Sequence, residues 1–375
     1  MDFEPSDDQR LLLESVSRLL ADNYSFAQRK TYLARPEGYS TDMWTKFAEL
    51  GLLGLPIPEE FGGFGGGAQE VMLVMQAFGR VLVLEPFLPT VVLGATAIMT
   101  AGSDAQKKAL LPVIAEGGLK LAFAHGERQA RYDLTDVITS AKKSGGGWVL
   151  DGSKTVVSHG EAADKMIVSA RTSGDRYDED GITLFLVDAK AQGVARRGYA
   201  TRDETRAADI SLSNAPGEVL GEVGKGLALI ERVIEAGIAA TSAEMVGAME
   251  TMNEMTLEYS KTRVQFGQPI GSYQVVQHRM ADMFMTAEQG RSMAMLATMS
   301  MDNTDPTARR HDFALAKVGV GQAGHYVAQS AVQMHGGIGM TEEYAVGHYF
   351  RRCMVIERLW GDPAYYLQRL ANEIA

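Results

Sequence analysis

The sequence predicts an α+β fold in which a helical N-terminal domain, a middle β-domain and a helical C-terminal domain follow one another. Hydrophobic residues recur at helical spacing up to residue 117 and again after residue 226. Between these two segments, short β-rich runs alternate with turn signals. The length of 375 residues is enough for two or three structural domains. We predict domains over residues 1–118, 119–222 and 223–375.

The N-terminal domain opens with a helix start signal. Ser6 is a predicted N-cap, and Gln9 completes a capping box with it. Thr41 is the predicted cap of a later helix. The glycine-rich segment 61–67 is interpreted as a loop rather than a phosphate cradle, because no strand precedes it and no Gly-Lys-Ser sequence follows. Further helices are predicted over 68–83, 88–101 and 104–116.

The middle domain is predicted to be a small antiparallel barrel or sandwich. Its β-rich runs are separated by turn sequences such as the glycine-rich stretch 144–147 and the dipeptide Asp151-Gly152. The predicted strands are 146–151, 164–171, 181–188 and 207–213. The acidic run 178–180 is interpreted as a solvated loop, since its spacing does not match a metal-binding loop.

The C-terminal domain is predicted to be a bundle of long helices with polar outer faces. The predicted helices are 227–264, 275–301, 307–334, 342–358 and 364–374. Methionines recur at helical spacing along the first two of them, and we interpret these side chains as core filler. They are Met249, Met252, Met255, Met280, Met283 and Met285.

Composition excludes several classes of function. The net charge of −11 argues against nucleic acid as the main partner, because phosphate binding requires a basic surface. The single cysteine, Cys353, rules out an internal disulfide framework and is typical of a reducing cytosol. No apolar run is long enough for a membrane span, and the acidic start at residues 1–5 does not resemble a signal peptide. We therefore expect a cytoplasmic protein.

A candidate binding site lies in the C-terminal domain. An arginine at a helix end, Arg263, followed by Gly267 and a downstream glutamine could serve a pyrophosphate, since arginine presents a planar set of donors. Gly336 and Gly337 would let the backbone lie close to a ligand. Each piece alone also fits a structural interpretation: a surface arginine, a helix C-cap and a turn between helices. No histidine spacing predicts a metal site.

Together these pieces resemble the acyl-CoA dehydrogenase family over essentially the whole chain. The segment 263–267 with Gln274 and the segment 281–283 resemble one family signature. The segment 333–339, followed by residues 349–351, resembles a second. The resemblance implies an N-terminal helical domain, a middle antiparallel β-barrel domain and a C-terminal four-helix bundle. It also implies FAD as cofactor and an acyl-CoA substrate that loses a proton from the α-carbon and a hydride from the β-carbon.

The resemblance further implies which residues hold the ADP part of FAD. In the family these residues reach across a dimer interface to a cofactor that is seated mainly in the neighbouring subunit. The corresponding residues here are Arg263, Gln265, Phe266, Gln274, Gln333, Gly336 and Gly337.

The flavin-ring half of the family pattern is altered. Where the family has a Thr-Glu-Pro loop followed by Gly-Ser-Asp, residues 125–133 of this chain read His-Gly-Glu-Arg-Gln-Ala-Arg-Tyr-Asp. Val156 replaces the family's flavin-stacking tryptophan, and only a hydroxyl remains nearby, at Ser158. The Glu-Gly-Thr segment that carries the usual catalytic base reads Trp360-Gly361-Asp362.

The alternative position of the base, on the first helix of the bundle, corresponds to Gly237. Nearby carboxylates do not replace it easily: Glu235 faces the other side of a helix, and Glu244 lies about 10 Å further along the axis. Asp362 is two residues beyond the other expected position. The catalytic base is therefore left unassigned.

These departures predict that the chain is one subunit of a heteromeric acyl-CoA dehydrogenase. We expect the assembled enzyme to be a dimer or a tetramer. We expect a homologous catalytic subunit and an electron-transfer flavoprotein as partners, and the chain looks most similar to the small subunits of pimeloyl-CoA dehydrogenases. Two alternatives remain open. One is a self-sufficient homo-oligomeric dehydrogenase with a displaced base, and the other is a non-catalytic scaffold on the same fold. An oxidase on this fold is a lesser alternative.

Overall fold

The structure, a computed structural model, describes residues 5–374 and divides the chain into two compact units. Unit 1 contains the chain up to Thr31, Ala68–Val83 and the chain from Ile238 onward. Unit 2 contains Tyr32–Gly67 and Leu84–Gly237. The helices of the N-terminal region are thus shared between the units. The expected lack of a signal peptide rests on residues 1–5, of which residues 1–4 lie outside the described part.

The N-terminal region is helical as predicted. Ser6 and Gln9 form the predicted capping box at the start of α1. The prediction for Thr41 is wrong: the preceding Ser40 accepts the capping hydrogen bond from the Met43 amide, and Thr41 is the first residue of α3. A π-helix, Leu88–Ala95, precedes α5. The α-helices are α1 (Asp7–Asn23), α2 (Phe26–Leu33), α3 (Thr41–Glu49), α4 (Ala68–Val81), α5 (Thr96–Ala101) and α6 (Asp104–Ala115).

The middle region, in unit 2, is a seven-stranded sheet that closes into a barrel. The strands are β1 (Leu121–Ala124), β2 (Ser140–Ser144), β3 (Gly147–Ser158), β4 (Lys165–Arg171), β5 (Ile182–Asp188), β6 (Val194–Ala200) and β7 (Arg206–Leu220). The order β4-β2-β3-β7-β5 returns to β4, which closes the ring. The predicted antiparallel barrel is confirmed, with the difference that β1 and β2 pair with β4 in parallel. The four predicted strand runs correspond to β3, β4, β5 and β7.

The C-terminal region forms the predicted helical bundle, which belongs to unit 1 from Ile238 onward. Its helices are α7 (Gly226–Thr262), α8 (Gln274–Ser300), α9 (Pro306–His335), α10 (Val346–Arg358) and α11 (Pro363–Ile374). A shared core joins the four helices α7, α8, α9 and α10 through side chains such as Met249, Met283, Val327 and Cys353. The interpretation of the methionines as core filler is wrong for Met285, whose side chain is 54% exposed.

In unit 1, α4 packs closely against α7 at two glycines. A Cβ at Gly79 on α4 would collide with the backbone of Glu244 on α7, and one at Gly247 would collide with the backbone of Gln76. Just beyond this crossing, Glu250 accepts hydrogen bonds from Arg80 and Gln76 and pairs with Arg291 on α8. These contacts fix α4, α7 and α8 to one another.

Across the described residues, no helix combines the length and the apolar character that crossing a membrane requires.

Candidate functional site

A pocket in unit 1 lies among the α7–α8 connection, the start of α8 and the end of α9. Its volume is about 640 Å³. Three of the predicted cofactor residues line it together, namely Gln265, Phe266 and Gln333. The other lining residues are Ile270, Tyr273, Val275, Val276, Arg279 and Met334. Residues that are nearly seventy positions apart in the sequence therefore meet at one cavity.

A two-residue hairpin forms one wall of the pocket. The strands β8 (Val264–Gln265) and β9 (Gln268–Pro269) are joined by Phe266 and Gly267, at φ of 52° and 85°. Two successive positive φ angles define a type I′ turn. The alternative interpretation of Gly267 as a helix C-cap is wrong, because the preceding helix already ends at Thr262. The turn presents the Phe266 ring to solvent, with 92% of its side chain exposed.

Neighbouring hydrogen bonds stabilise the unfavourable backbone conformation of Phe266. A non-glycine residue in the left-handed region is unfavourable and tends to occur at functional sites. The Tyr273 hydroxyl donates to the Gln265 carbonyl at 3.2 Å, and the Ile270 amide donates to the Arg263 carbonyl at 2.8 Å. The first bond ties the hairpin to the N-cap residue of α8, and the second joins the two ends of the hairpin to each other.

The start of α8 gives the pocket a positive character. Its N-cap residue, Tyr273, makes no side-chain capping bond, and its first turn contains no acidic residue. Backbone amides at a helix start carry a partial positive charge that favours anions. Arg279, less than two turns further along, adds a full positive charge to the lining. A pocket of this kind suits a ligand with an aromatic and an anionic part.

The end of α9 presents an open backbone beside Gln333. Gly336 has a φ of 64°, and a Cβ at Gly336 or Gly337 would meet no atom within 4 Å. The preceding His335 is buried and donates from Nδ1 to the Ala331 carbonyl at 2.8 Å. Its ring stacks on Tyr259 at 4.5 Å between centroids, and burial lowers the pKa of His335. A neutral, stacked histidine thus anchors the glycine turn.

The structure does not bring all of the predicted cofactor residues into the pocket lining. Arg263 is exposed at the end of α7, and Gln274 is the first residue of α8. Both of these residues and the glycine pair lie within three positions of a lining residue in sequence without lining the cavity themselves. Conversely, the sequence analysis missed Arg279. The i, i+3 spacing from Val276 would have indicated that the two side chains share a helix face.

The segment where a catalytic carboxylate was expected has a defined local role. Trp360 follows α10 with a φ of 57°, and its carbonyl accepts a hydrogen bond from the Tyr366 hydroxyl at 2.8 Å. Asp362 accepts a hydrogen bond from the Tyr365 amide at 2.8 Å and so caps α11. The carboxylate of Asp362 is therefore used in starting a helix.

The carboxylates on α7 are also engaged. Glu244 is buried and accepts two hydrogen bonds from the Arg352 guanidinium, at 2.6 and 2.8 Å. This bidentate pair is the strongest geometry available to an arginine and a carboxylate. Glu235, in unit 2, is buried with its carboxylate 3.6 Å from Arg232.

In unit 2, the loop between β1 and β2 is organised by a buried ion pair. The Lys154 ammonium donates to Glu127 at 2.7 Å, to Ser169 at 2.9 Å and to the His125 carbonyl at 3.2 Å. Burial would raise the pKa of Glu127, but the Lys154 charge and several donors outweigh it and lower that pKa to about 2. Burial lowers the pKa of Lys154 to about 8.

The strand that follows Lys154 contains a β-bulge. The pairing of β3 with β7 shifts between Lys154 and Val157, and Val156 lies in the bulge with a φ of 52°. The Val156 side chain is 60% exposed, and Ser158 is partly buried at the end of the strand. The position where the family has a flavin-stacking ring is therefore an exposed aliphatic side chain.

The glycine-rich segment 61–67 is a loop, as predicted, and its amides are occupied. The amides of Gly63, Phe64, Gly65 and Gly66 donate to backbone carbonyls of residues 54–58. They are therefore not available to a phosphate group.

Comparison with known proteins gives matches along nearly the whole chain. Residues 6–118 match the family model described as acyl-CoA dehydrogenase, N-terminal domain. Residues 122–215 match the middle domain of the same family, and residues 224–374 match its C-terminal domain.

Individual relatives agree with these matches. The chain is 30% identical over 373 residues to acyl-CoA dehydrogenase IpdE2 of Mycobacterium tuberculosis. The aligned residues cover 99% of this chain and 98% of that protein. It is similar to a chain of the ChsE4-ChsE5 complex from M. tuberculosis, with 27% identity, a TM-score of 0.88 and coverage of 100% and 99%. Butyryl-CoA dehydrogenase from Megasphaera elsdenii is 26% identical, with a TM-score of 0.90 and full coverage of both chains, 100% each.

Proposed function

Because the chain belongs to the acyl-CoA dehydrogenase family, we propose that it is one subunit of a heteromeric, FAD-dependent member of that family. In this proposal it contributes part of an FAD site to a homologous catalytic subunit, which supplies the base. The observation that carries the proposal is the contrast between an assembled pocket and an altered set of catalytic positions. Gln265, Phe266 and Gln333 meet at the pocket, whereas Trp360 occupies the expected base position.

The pocket residues fit the ADP part of FAD. Phe266 offers an exposed ring face for an adenine, and the side-chain amides of Gln265 and Gln333 offer donors and acceptors for polar groups. The open backbone at Gly336 and Gly337 permits close approach of a ligand. When bound, FAD would supply the hydride acceptor of the dehydrogenation. The role of this chain is to bind and orient the dinucleotide at a subunit interface.

The absence of a usable base supports a second chain. Glu244 is held by Arg352, and Asp362 caps α11, so each carboxylate already has a structural partner. A general base must lie within hydrogen-bond reach of the proton it removes and must be free to accept it. The position corresponding to the family's alternative base is Gly237, which has no side chain.

The similarity to a chain of the ChsE4-ChsE5 complex supports a partner that is itself homologous. As further parts of the proposal, an electron-transfer flavoprotein reoxidises the flavin, the assembly is a dimer or tetramer, and the protein acts in the cytoplasm. The resemblance to small subunits of pimeloyl-CoA dehydrogenases and the bounds of the three predicted domains also remain predictions.

The visible absorption spectrum tests this proposal. The full chain would be purified alone and after co-production with a candidate homologous subunit, and bound flavin would be measured by absorbance. We expect stoichiometric flavin and acyl-CoA oxidation only in the co-purified complex, because this chain holds only part of the site and offers no base.

The contrary outcomes are distinct. If the chain alone binds one FAD per subunit and oxidises an acyl-CoA, the need for a partner is refuted and the self-sufficient enzyme is correct. If no flavin binds in any combination, the scaffold alternative is correct.

A further inference from the structure

Two successive backbone amides at the β-bulge around Val156, in unit 2, are occupied within this chain. The Thr155 amide donates to the Gly126 carbonyl at 2.9 Å, and the Val156 amide donates to the Asp209 carboxylate at 3.4 Å. Val156 stands where the family pattern has a flavin-stacking tryptophan. The backbone donors at that position are therefore already used before any ligand arrives.

Asp209 is held at the bulge by two further donors. Arg197 donates to its carboxylate at 2.8 Å, and the Tyr199 hydroxyl donates to it at 3.0 Å. Arg197 lies directly opposite Asp209 in the pairing of β6 with β7. The Arg197 hydrogen bond is the largest of the effects that hold the pKa of Asp209 below its usual range, so the carboxylate is charged at neutral pH. A fixed negative charge thus lies beside Val156.

This arrangement does not match a flavin ring. The pyrimidine edge of an oxidised isoalloxazine presents mainly hydrogen-bond acceptors, and an ionised carboxylate is itself an acceptor without a donor. Reduction adds negative charge to the ring, and a like charge nearby opposes that change. Val156 offers no aromatic face for stacking. The residues at the bulge therefore do not fit the ring of FAD.

A second bulge in the same barrel shows a similar carboxylate in a different place. Asp151 on β3 accepts a hydrogen bond from the Asn214 amide at 2.9 Å, and Asn214 has a φ of 49°, close to the 52° of Val156. Each contact lies at one of the two register shifts between β3 and β7. Asp209 adjoins the position of the family's tryptophan, whereas Asp151 lies at the other shift. Asp151 therefore provides a matched control for a carboxylate that stabilises a bulge.

We propose that Asp209 closes unit 2 of this chain to a flavin ring, so that the chain shares in FAD binding only through the pocket of unit 1. The inference rests on the proposed function and deepens it, because it fixes how many flavins a pair of subunits holds. By the family arrangement, a ring seated on this chain would have its ADP part held by the partner subunit. With the bulge closed, that second flavin is excluded, and Asp209 determines specificity by exclusion.

The flavin content of the complex tests this inference. The full chain and its homologous subunit would be purified together, dialysed against FAD, and measured for bound flavin per pair of chains by absorbance. We expect a single flavin per pair in the wild type and in Val156→Trp, because Asp209 still occupies the bulge amide in that variant. Val156→Trp/Asp209→Ala should bind about twice as much flavin as the wild type, because it restores both a ring face and a free amide.

The control Val156→Trp/Asp151→Ala should keep the wild-type flavin content. Circular dichroism would establish that each variant is folded, and Val156→Trp/Asp209→Asn replaces the alanine variant if that one is not, because it removes the charge at nearly constant shape. The wild-type ratio needs no variant at all.

Three results would overturn the inference and leave the proposed function standing. They are a flavin on each chain of the wild-type complex, a folded Asp209 double variant that gains no flavin, and an equal gain in the Asp151 control. If the wild-type complex binds no flavin, the proposed function fails, and this inference fails with it.

Discussion

Glu127 and Lys154 show how a buried charge is tolerated in the β-domain. Both side chains are almost fully inaccessible to solvent, and removing two charges from water is unfavourable unless each is compensated. The compensation is complete: Glu127 also accepts hydrogen bonds from the amides of Ile138 and Thr139, and the Lys154 ammonium has three acceptors. The pair therefore determines the path of the loop between β1 and β2.

Glu127→Gln is expected to destabilise the protein by about 3–5 kcal/mol, because it leaves the Lys154 charge buried without its counter-ion. Denaturant unfolding followed by circular dichroism would measure the change. The double variant Glu127→Gln/Lys154→Met should be more stable than the single variant, since the uncompensated charge is removed. A double variant that is no better than the single one would contradict this account.

At the scale of elements, the packing of α4 against α7 depends on two glycines. Gly79 and Gly247 each remove a side chain at a point where the opposite helix backbone is in direct contact. Neither residue stands out in the sequence, because a glycine inside a helix pattern is commonly tolerated for many reasons. The contacts of Glu250 with Arg80 and Arg291 then depend on this short separation.

Gly79→Ala should therefore separate α4 from α7 and destabilise unit 1 by about 1–3 kcal/mol, the usual range for overpacking. The measurement is denaturant unfolding combined with hydrogen exchange of amides in α4 and α7. Gly147→Ala is the control, because a Cβ there would meet only the Ser144 carbonyl oxygen at 3.9 Å. Equal stability of the two variants would show that the close approach is not required.

Other elements show why sequence patterns predicted some strands and not others. The runs that were found, such as β4 and β5, contain continuous buried segments of five and six residues. β2 was missed because it is largely exposed, and β6 was missed because it pairs only with β7 and carries Arg196 and Arg197. β1 is only four residues long. Short or edge strands owe their structure to the partner strand more than to their own pattern.

At the scale of the whole molecule, a buried lysine links global stability to pH. Lys317 on α9 is buried and donates to the Ile356 carbonyl near the end of α10 at 2.6 Å. Burial lowers the pKa of Lys317 from 10.5 to about 7, although the nearby charges of Glu357 and Asp362 oppose that shift. Between these two values the unfolded chain binds more protons than the folded one, so the free energy of unfolding rises with pH.

Lys317→Met should remove this contribution. As the pH rises from about 7 to about 10, the free energy of unfolding of the wild type should increase relative to that of the variant. The increase should be a few kcal/mol at most. Below about pH 7 the difference should be constant, because the lysine is protonated in both states. Denaturant titrations over this pH range measure the effect, and parallel stability curves for the two proteins would contradict it.

The sequence by itself determined the fold class, the order of the helical and β regions and the family. Periodicity and local start and stop signals, such as Ser6 with Gln9, act over a few residues and are therefore readable along the chain. The signatures around Arg263 and Gln333 likewise marked the segments that border the pocket. What only the tertiary structure decided was which side chains meet. Arg279 lines the pocket, and Glu244 and Asp362 are engaged by distant or following residues. Contacts of this kind depend on how helices pack against one another, and helix packing is set by side chains far apart in the sequence.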